Sequence, residues 1–351
     1  MTTKSPQAPE STPVAGEPLL RTVDLTRHFR LGGMFSKQVL HAVDDLNITI
    51  QEREIVALVG ESGSGKSTAA RLLARVYSPT RGEIYYRNRA LHSLRSRKDL
   101  MWYRGEVALV LQDPFSAFNP VFRVSHGVMR NLALHRPDLS RNERRQAAER
   151  VFESVGLSPK MLARFPYEMS GGERQRIGFA QALAARPKLI LADEPVSMLD
   201  VSIRAGVLNM MAGLRDEQGV SILYITHDIA SARYVADRII VMYAGHQVET
   251  GPTETVLRNP KHPYTQLLLS AVADPHEKVD ETISADTGEP PRVINPSEGC
   301  RFRWRCPCAI EKCSQVTPRL TPIGSIQVAC HVAAGEPEHV SSPTAASIRG
   351  S

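Results

Sequence analysis

Several things are scarce in this chain, and each absence narrows its class. Across 351 residues no apolar run approaches the ~20 residues that a helical membrane span needs, so none is expected. The opening segment MTTKSPQAPESTPVAGEP is rich in Pro, Ser and Thr and has no apolar signal core. Residues 1–18 therefore read as a disordered tail with no secretory signal, and a cytosolic location is expected. Cysteine is absent before Cys300, and all five cysteines lie between Cys300 and Cys330. Basic charge is present but not concentrated. Net charge is +6 and the pI is near 9.1, yet outside clusters such as Arg95-Ser96-Arg97-Lys98 the basic residues are scattered. That distribution reads as a solvated surface, not as a nucleic-acid or membrane patch. The remainder, 42% hydrophobic and 23% charged, is ordinary globular composition, and the length suits one large domain plus an appendage.

Against this background one stretch stands out. Gly60-Glu61-Ser62-Gly63-Ser64-Gly65-Lys66-Ser67-Thr68 fits the pattern G-x-x-x-x-G-K-[ST]. The apolar run Ile55–Val59 before it reads as a buried parallel strand, and Ala69, Ala70, Leu72 and Leu73 follow at helical spacing. Glycines let the backbone wrap around phosphate oxygens, and a helix start presents free N–H groups and a positive dipole end. Lys66 is placed to reach the β- and γ-phosphates, and the Ser67 hydroxyl to ligate Mg²⁺. The chain is expected to bind a nucleoside triphosphate.

The segments around this loop supply candidates that are individually weak. Leu19 to Ile50 has short β-like runs, and Phe29 within it reads either as a stacking surface for an adenine ring or as a core aromatic. Val107–Leu111 is an apolar strand ending at Gln112, an amide near enough to touch the metal. Residues about 116–187 carry mostly helix signals, including a capping box at Ser140–Glu143, and read as a helical insertion. Ser170-Gly171-Gly172-Glu173 opens a helix; it is either an anion site or an ordinary well-capped start. Leu189–Ala192 runs into Asp193-Glu194. After a phosphate loop, one such acid can hold Mg²⁺ and the other can polarise the attacking water. Ser197–Asp200 follows, and the strand Ile222–Ile225 ends near His227, which is placed to hydrogen-bond a γ-phosphate or to be structural.

Taken in order, Phe29, Gly60–Thr68, Gln112, Ser170-Gly171-Gly172, Asp193-Glu194, Ser197–Asp200 and His227 resemble the ATP-binding subunit of ABC transporters over roughly Leu19 to Val272. Gln112-Asp113-Pro114 with Asn119-Pro120, Asp193–Ser197, Leu199–Ser202, His262–Thr265, Cys300-Arg301-Phe302 and Ala329-Cys330-His331 are similar to the oligopeptide/dipeptide importer type, which includes nickel importers. The resemblance departs at Met169 and Glu173, where Leu and Gln are usual, at Met198 for Ala and at Phe118 for Leu. Glu173 still suits a capping box.

This resemblance implies an α/β fold: a P-loop NTPase core with a RecA-like parallel sheet, an N-terminal antiparallel β subdomain and the helical insertion. The ATPase domain would span 19–255, a cysteine-containing extension 256–335 and a second disordered tail 336–351. It also implies ATP and Mg²⁺ as ligands, with Ser67, Gln112 and Asp193 on the metal. Glu194 and His227 would be catalytic. Ser170, Gly171, Gly172 and Asp200 would face ATP held by a second ATPase subunit, a sister or a copy of this chain. Two permease subunits, a substrate-binding protein and a peripheral place on the cytoplasmic membrane face complete the expectation. No nucleic-acid partner is expected. An ATPase acting on nucleic acid would be supported by tandem nucleotide domains, and only one is present; a non-hydrolysing module would have replaced Glu194 or His227.

In a reducing compartment the cysteine segment points to metal before disulfides. Cys300, Cys306, Cys313 and Cys330 follow neither a zinc-ribbon nor a ferredoxin spacing. A four-thiolate zinc or [4Fe–4S] site is one reading, with His331 as an alternative zinc ligand, and free or partly buried thiols are the other. Cys308 is extra to the importer pattern and is expected to be dispensable.

Overall fold

The computed structural model describes residues 16–33, 36–113, 119–270 and 293–335. The expected tails, apart from 16–18, lie outside these residues, as do Pro114 and Phe118.

The first strands are β1 Leu20–Arg30, β2 Val39–Leu46, β3 Thr49–Ile50, β4 Ile55–Val59, β5 Arg81–Tyr86 and β6 Arg89–Ala90. The rest are β7 Val107–Val110, β8 Leu189–Asp193, β9 Ser221–Thr226, β10 Arg238–Tyr243, β11 His246–Pro252, β12 Thr321–Ile323 and β13 Ile326–Val328. One sheet runs β2-β1-β5-β6 with β3 on β1, and its pairings are antiparallel, as expected for the N-terminal subdomain. The main sheet runs β12-β13-β11-β10-β4-β9-β8-β7, and from β10 to β7 its neighbours are parallel.

Every residue of β4, β8 and β9 is buried, which is what continuous apolar runs covered on both faces produce. The alternation of β4 divides the molecule into two cores. Val56 and Leu58 join the antiparallel sheet and the helix Lys66–Leu73, whereas Ile55, Ala57 and Val59 join the helices on the other face. Between β7 and β8 lies the helical insertion, with helices Ser125–His135, Arg141–Ser154 and Gly171–Leu183. The Ser140–Glu143 capping box forms in full. Because β7, β8, β9 and β4 are adjacent and parallel, the segments leaving their carboxyl ends meet at one edge of the sheet. That is where open α/β sheets bind ligands.

The extension is not a detached appendage. Its strand β13 pairs antiparallel with β11, Glu249 opposite Val328 and Thr250 opposite Gln327, so it lengthens the main sheet. A boundary between 255 and 256 therefore marks no structural break, and the sheet is mixed, with a parallel centre and an antiparallel edge. Phe302 is 2% exposed and packs edge-on to Tyr243 at 5.2 Å and tilted against Tyr264 at 5.5 Å. A segment too polar for its own core has borrowed the core of the ATPase domain.

Candidate active site

The phosphate loop forms because its glycines tolerate contacts that no side chain could. A Cβ on Gly60 would sit 2.1 Å from the Met242 carbonyl oxygen, and one on Gly65 would sit 2.1 Å from that of Ala42. Gly65 also has φ +103°, in the left-handed region. The loop lines a cavity of about 1160 Å³ together with Gln112, Glu194 and His227. Thus the carboxyl ends of β4, β7, β8 and β9 each deliver a side chain to one space.

Within it, the Ser67 hydroxyl donates to Asp193 Oδ1 at 2.9 Å, and Gln112 Nε2 donates to Glu194 Oε2 at 3.3 Å and Ser197 Oγ at 3.4 Å. His227 Nδ1 lies 3.2 Å from the same Glu194 oxygen. Lys66, 4% exposed, donates to the carbonyls of Gly60 at 2.6 Å and Glu61 at 2.8 Å. Burial pulls the Lys66 pKa down, against the carboxylates of Glu194, Asp193 and Glu61. Burial pushes the Asp193 carboxyl up, and the Ser67 hydrogen bond opposes it. Glu194 occupies a left-handed backbone conformation with φ +47°, held by its N–H donating to Ile225 O at 2.9 Å.

Ser170, Gly171, Gly172 and Asp200 do not reach this cavity. Ser170 caps the helix Gly171–Leu183 in a reciprocal box with Glu173 (2.8 and 3.3 Å), so the Glu173 departure preserves the helix start. Gly172 is required by packing, since a Cβ there would lie 2.4 Å from Ile203 Cγ2. Ser170 and Asp200 are exposed on the surface, and Asp200 makes no side-chain cap to the helix Val201–Gln218 that it precedes. From that helix Arg204 pairs with Asp228 at 2.9 Å, tying it to the neighbour of His227.

Phe29 is not brought to the cavity as expected. Its ring is edge-on to Tyr77 at 5.4 Å with the Arg27 guanidinium over it at 4.5 Å, while Leu31, Leu40 and His41 line the nearby wall. The ring is engaged by a cation and a second aromatic.

Cys300, Cys306, Cys308, Cys313 and Cys330 line one small void with His262 and His331. Cys306 and Cys308 sulfurs are 3.6 Å apart, so Cys308 is closer to the cluster than its expected dispensability suggests. Among the described residues no three of these thiols lie within 4.8 Å of one another. Tetrahedral ligands at a Zn–S distance of about 2.3 Å would be about 3.8 Å apart, so this is too open for a single closed zinc ion. His331 Nε2 is bonded to the Val316 carbonyl at 2.9 Å. Burial pushes the Cys300 thiol up to about 11, so a thiolate there needs a cationic centre to stabilise it.

A parallel sheet whose adjacent strand ends converge on a phosphate loop, with a Gln, a Glu and a His around it, defines a P-loop ATPase of the ATP-binding cassette kind. Comparison with known proteins agrees. Residues 43–197 match the family described as ABC transporter, and residues 248–313 match the oligopeptide/dipeptide transporter C-terminal region. The putative oligopeptide transport ATP-binding protein YkfD of Bacillus subtilis is 40% identical over 318 residues, covering 90% of this chain and 95% of that protein. The oligopeptide transport ATP-binding protein OppF of Escherichia coli is 40% identical over 321 residues, covering 89% and 95%. Among solved structures, a dimeric post-hydrolysis state of the ATP-binding cassette MJ0796 with ADP and Pi aligns with TM-score 0.60 and 28% identity, covering 67% of this chain and 98% of that one. The chain belongs to the ABC transporter ATP-binding proteins, in the oligopeptide/dipeptide group.

Proposed function

We propose that this chain is the ATP-hydrolysing subunit that energises import of oligopeptides or dipeptides through an ABC transporter. The carrying observation is the convergence of Lys66, Ser67, Asp193, Gln112, Glu194 and His227 on one cavity, in a chain whose relatives are named for peptide transport.

Lys66 leaves the carbonyls of Gly60 and Glu61 to meet the β- and γ-phosphates. Ser67, Asp193 and Gln112 present oxygen donors of the kind Mg²⁺ prefers, and the 2.9 Å contact between Ser67 and Asp193 supports two of them meeting at one ion. The ion would neutralise charge developing on the transferred phosphoryl group. Glu194 orients a water and accepts its proton, and His227, 3.2 Å from Glu194, holds the γ-phosphate. Ser170, Gly171 and Gly172 open a helix whose start does not line the chain's own cavity, so they complete the site of a second ATPase subunit in a head-to-tail pair, with Asp200 at the same seam. Closure on ATP passes to two permease subunits through the Gln112 segment and the helical insertion, and a substrate-binding protein selects the peptide. The chain sits peripherally on the cytoplasmic membrane face; no helix of the described residues is long and apolar enough to cross a membrane.

Purified from detergent-solubilised membranes through a tag on this chain, the complex is expected to contain two multispanning subunits and a second ATPase, and to hydrolyse ATP faster with a peptide-loaded binding protein. Recovery with RNA or ribosomes, or stimulation by Ni²⁺ but by no peptide, would overturn the reading.

We propose that Cys300, Cys306, Cys313 and Cys330, an all-thiol set lining one small void, hold an iron–sulfur centre. Anaerobic purification is expected to yield iron with sulfide and a broad band near ~400 nm. Colourless zinc protein, or a protease-resistant extension with under a tenth of an equivalent of metal, would contradict the assignment.

A further inference from the structure

The extension touches the ATP site through two arginines on one short segment. Arg305 grips the Glu61 carboxylate with its guanidinium fork: Nη1 lies 3.2 and 2.9 Å from the two oxygens, and Nη2 is 3.2 Å from Oε1. Glu61 is the second residue of the phosphate loop and lines the cavity. Its carbonyl accepts from Lys66, and its N–H donates to the Tyr264 hydroxyl at 2.9 Å. Tyr264 in turn packs on Tyr243 and Phe302, and Phe302 lies between the two arginines in sequence. Arg301 binds Asp44 and the Ala244 carbonyl. Asp44 N–H donates to Gly245 O, and Gly245 N–H donates to Ser64 O of the loop, at 2.9 Å each. Asp44 also receives His28 and His41, the one grouping of three donors within 4.8 Å among the described residues. The Arg301 guanidinium shares that carboxylate, so the grouping is an ion-pair hub and not a cation site.

Glu61 presents a problem for a polyphosphate site, because a carboxylate on the wall repels the ligand. The Arg305–Glu61 pair is largely withdrawn from solvent, with side chains 11% and 24% exposed, so water screens it incompletely. A two-pronged guanidinium both cancels the charge and fixes its geometry. We propose that Arg305 is a positioning residue for the ATP site: by neutralising Glu61 and holding the start of the phosphate loop, it makes MgATP affinity depend on the folded cysteine segment. This rests on the assignment of the ATP site to Gly60–Thr68.

The test is a double-mutant cycle on the full-length chain, with MgATP binding by calorimetry and KM and kcat in the assembled transporter. Arg305→Gln is expected to weaken MgATP binding about tenfold and raise KM to match, with kcat within about twofold. In a Glu61→Gln background the same Arg305→Gln change is expected to shift affinity less than about twofold, because no charge is left to neutralise. Arg305→Lys, which keeps the charge and loses the fork, should lose less than about threefold. Equal losses in both backgrounds, a loss for Lys as large as for Gln, or unchanged affinity in Arg305→Gln would each overturn the proposal. Lys66→Ala separates the two failures. If it retains MgATP affinity, the site assignment itself is wrong; if it loses binding while Arg305→Gln does not, only the role of Arg305 falls.

Discussion

Glu194→Gln is expected to lower ATP turnover by at least ~10²-fold while MgATP binding survives. The substitution is nearly isosteric, and the left-handed backbone at this position is fixed by the hydrogen bond to Ile225 O, which an amide side chain does not disturb. Lys66, Ser67 and the loop N–H groups remain to hold the triphosphate. What disappears is the carboxylate that, in the proposed mechanism, would take a proton from the attacking water, along with the negative partner of Gln112 and His227. Phosphate release in single-turnover and steady-state assays of the assembled complex, beside equilibrium MgATP binding, separates the two effects. Turnover at the unmodified rate would remove Glu194 from the mechanism.

Ser170→Arg is expected to abolish hydrolysis at the ATP held by the opposite subunit and to leave this chain's own nucleotide affinity nearly unchanged. Ser170 is exposed and absent from the walls of its own cavity, so any ligand met by the start of the helix that it caps has to be presented from outside. In the proposed head-to-tail pair, an arginine there would fill the space meant for the partner's γ-phosphate. Loss of the cap costs about 1 kcal/mol locally, so thermal unfolding is measured alongside to show that the variant is folded. If the isolated variant lost MgATP binding, Ser170 would belong to its own site and the head-to-tail pairing would be wrong.

Much of this site was legible because its parts are local. Each of Gly60–Thr68, Gln112, Asp193-Glu194 and His227 stands at the end of an apolar run, and a parallel sheet brings such ends together without further instruction. Ser170–Glu173 was equally plain, since a capping box is a contact between residues three apart. What the sequence concealed depends on partners far along the chain. Arg305 and Glu61 are 244 residues apart, and Arg301 and Asp44 are 257 apart. Nothing in the local composition of either segment signals the pairing. The strand Ile326-Gln327-Val328 is too short for its alternation to register, and it is fixed as a strand by pairing with β12 on one side and with β11, far back along the chain, on the other. Phe29 is a different case. An aromatic upstream of a phosphate loop is visible, but Tyr77 and Arg27, which engage its ring, were not identified from spacing.

The most direct measurement of the central claim is ATP-dependent uptake of a labelled oligopeptide into proteoliposomes that contain the complete transporter, with the binding protein and peptide outside and ATP and this chain on the luminal face. With the unmodified chain, peptide is expected to cross only when MgATP is supplied. With Glu194→Gln in its place, MgATP is expected to bind and transport to fall to the level seen without nucleotide. Undiminished uptake with Glu194→Gln, or uptake that needs no ATP at all, would contradict the account.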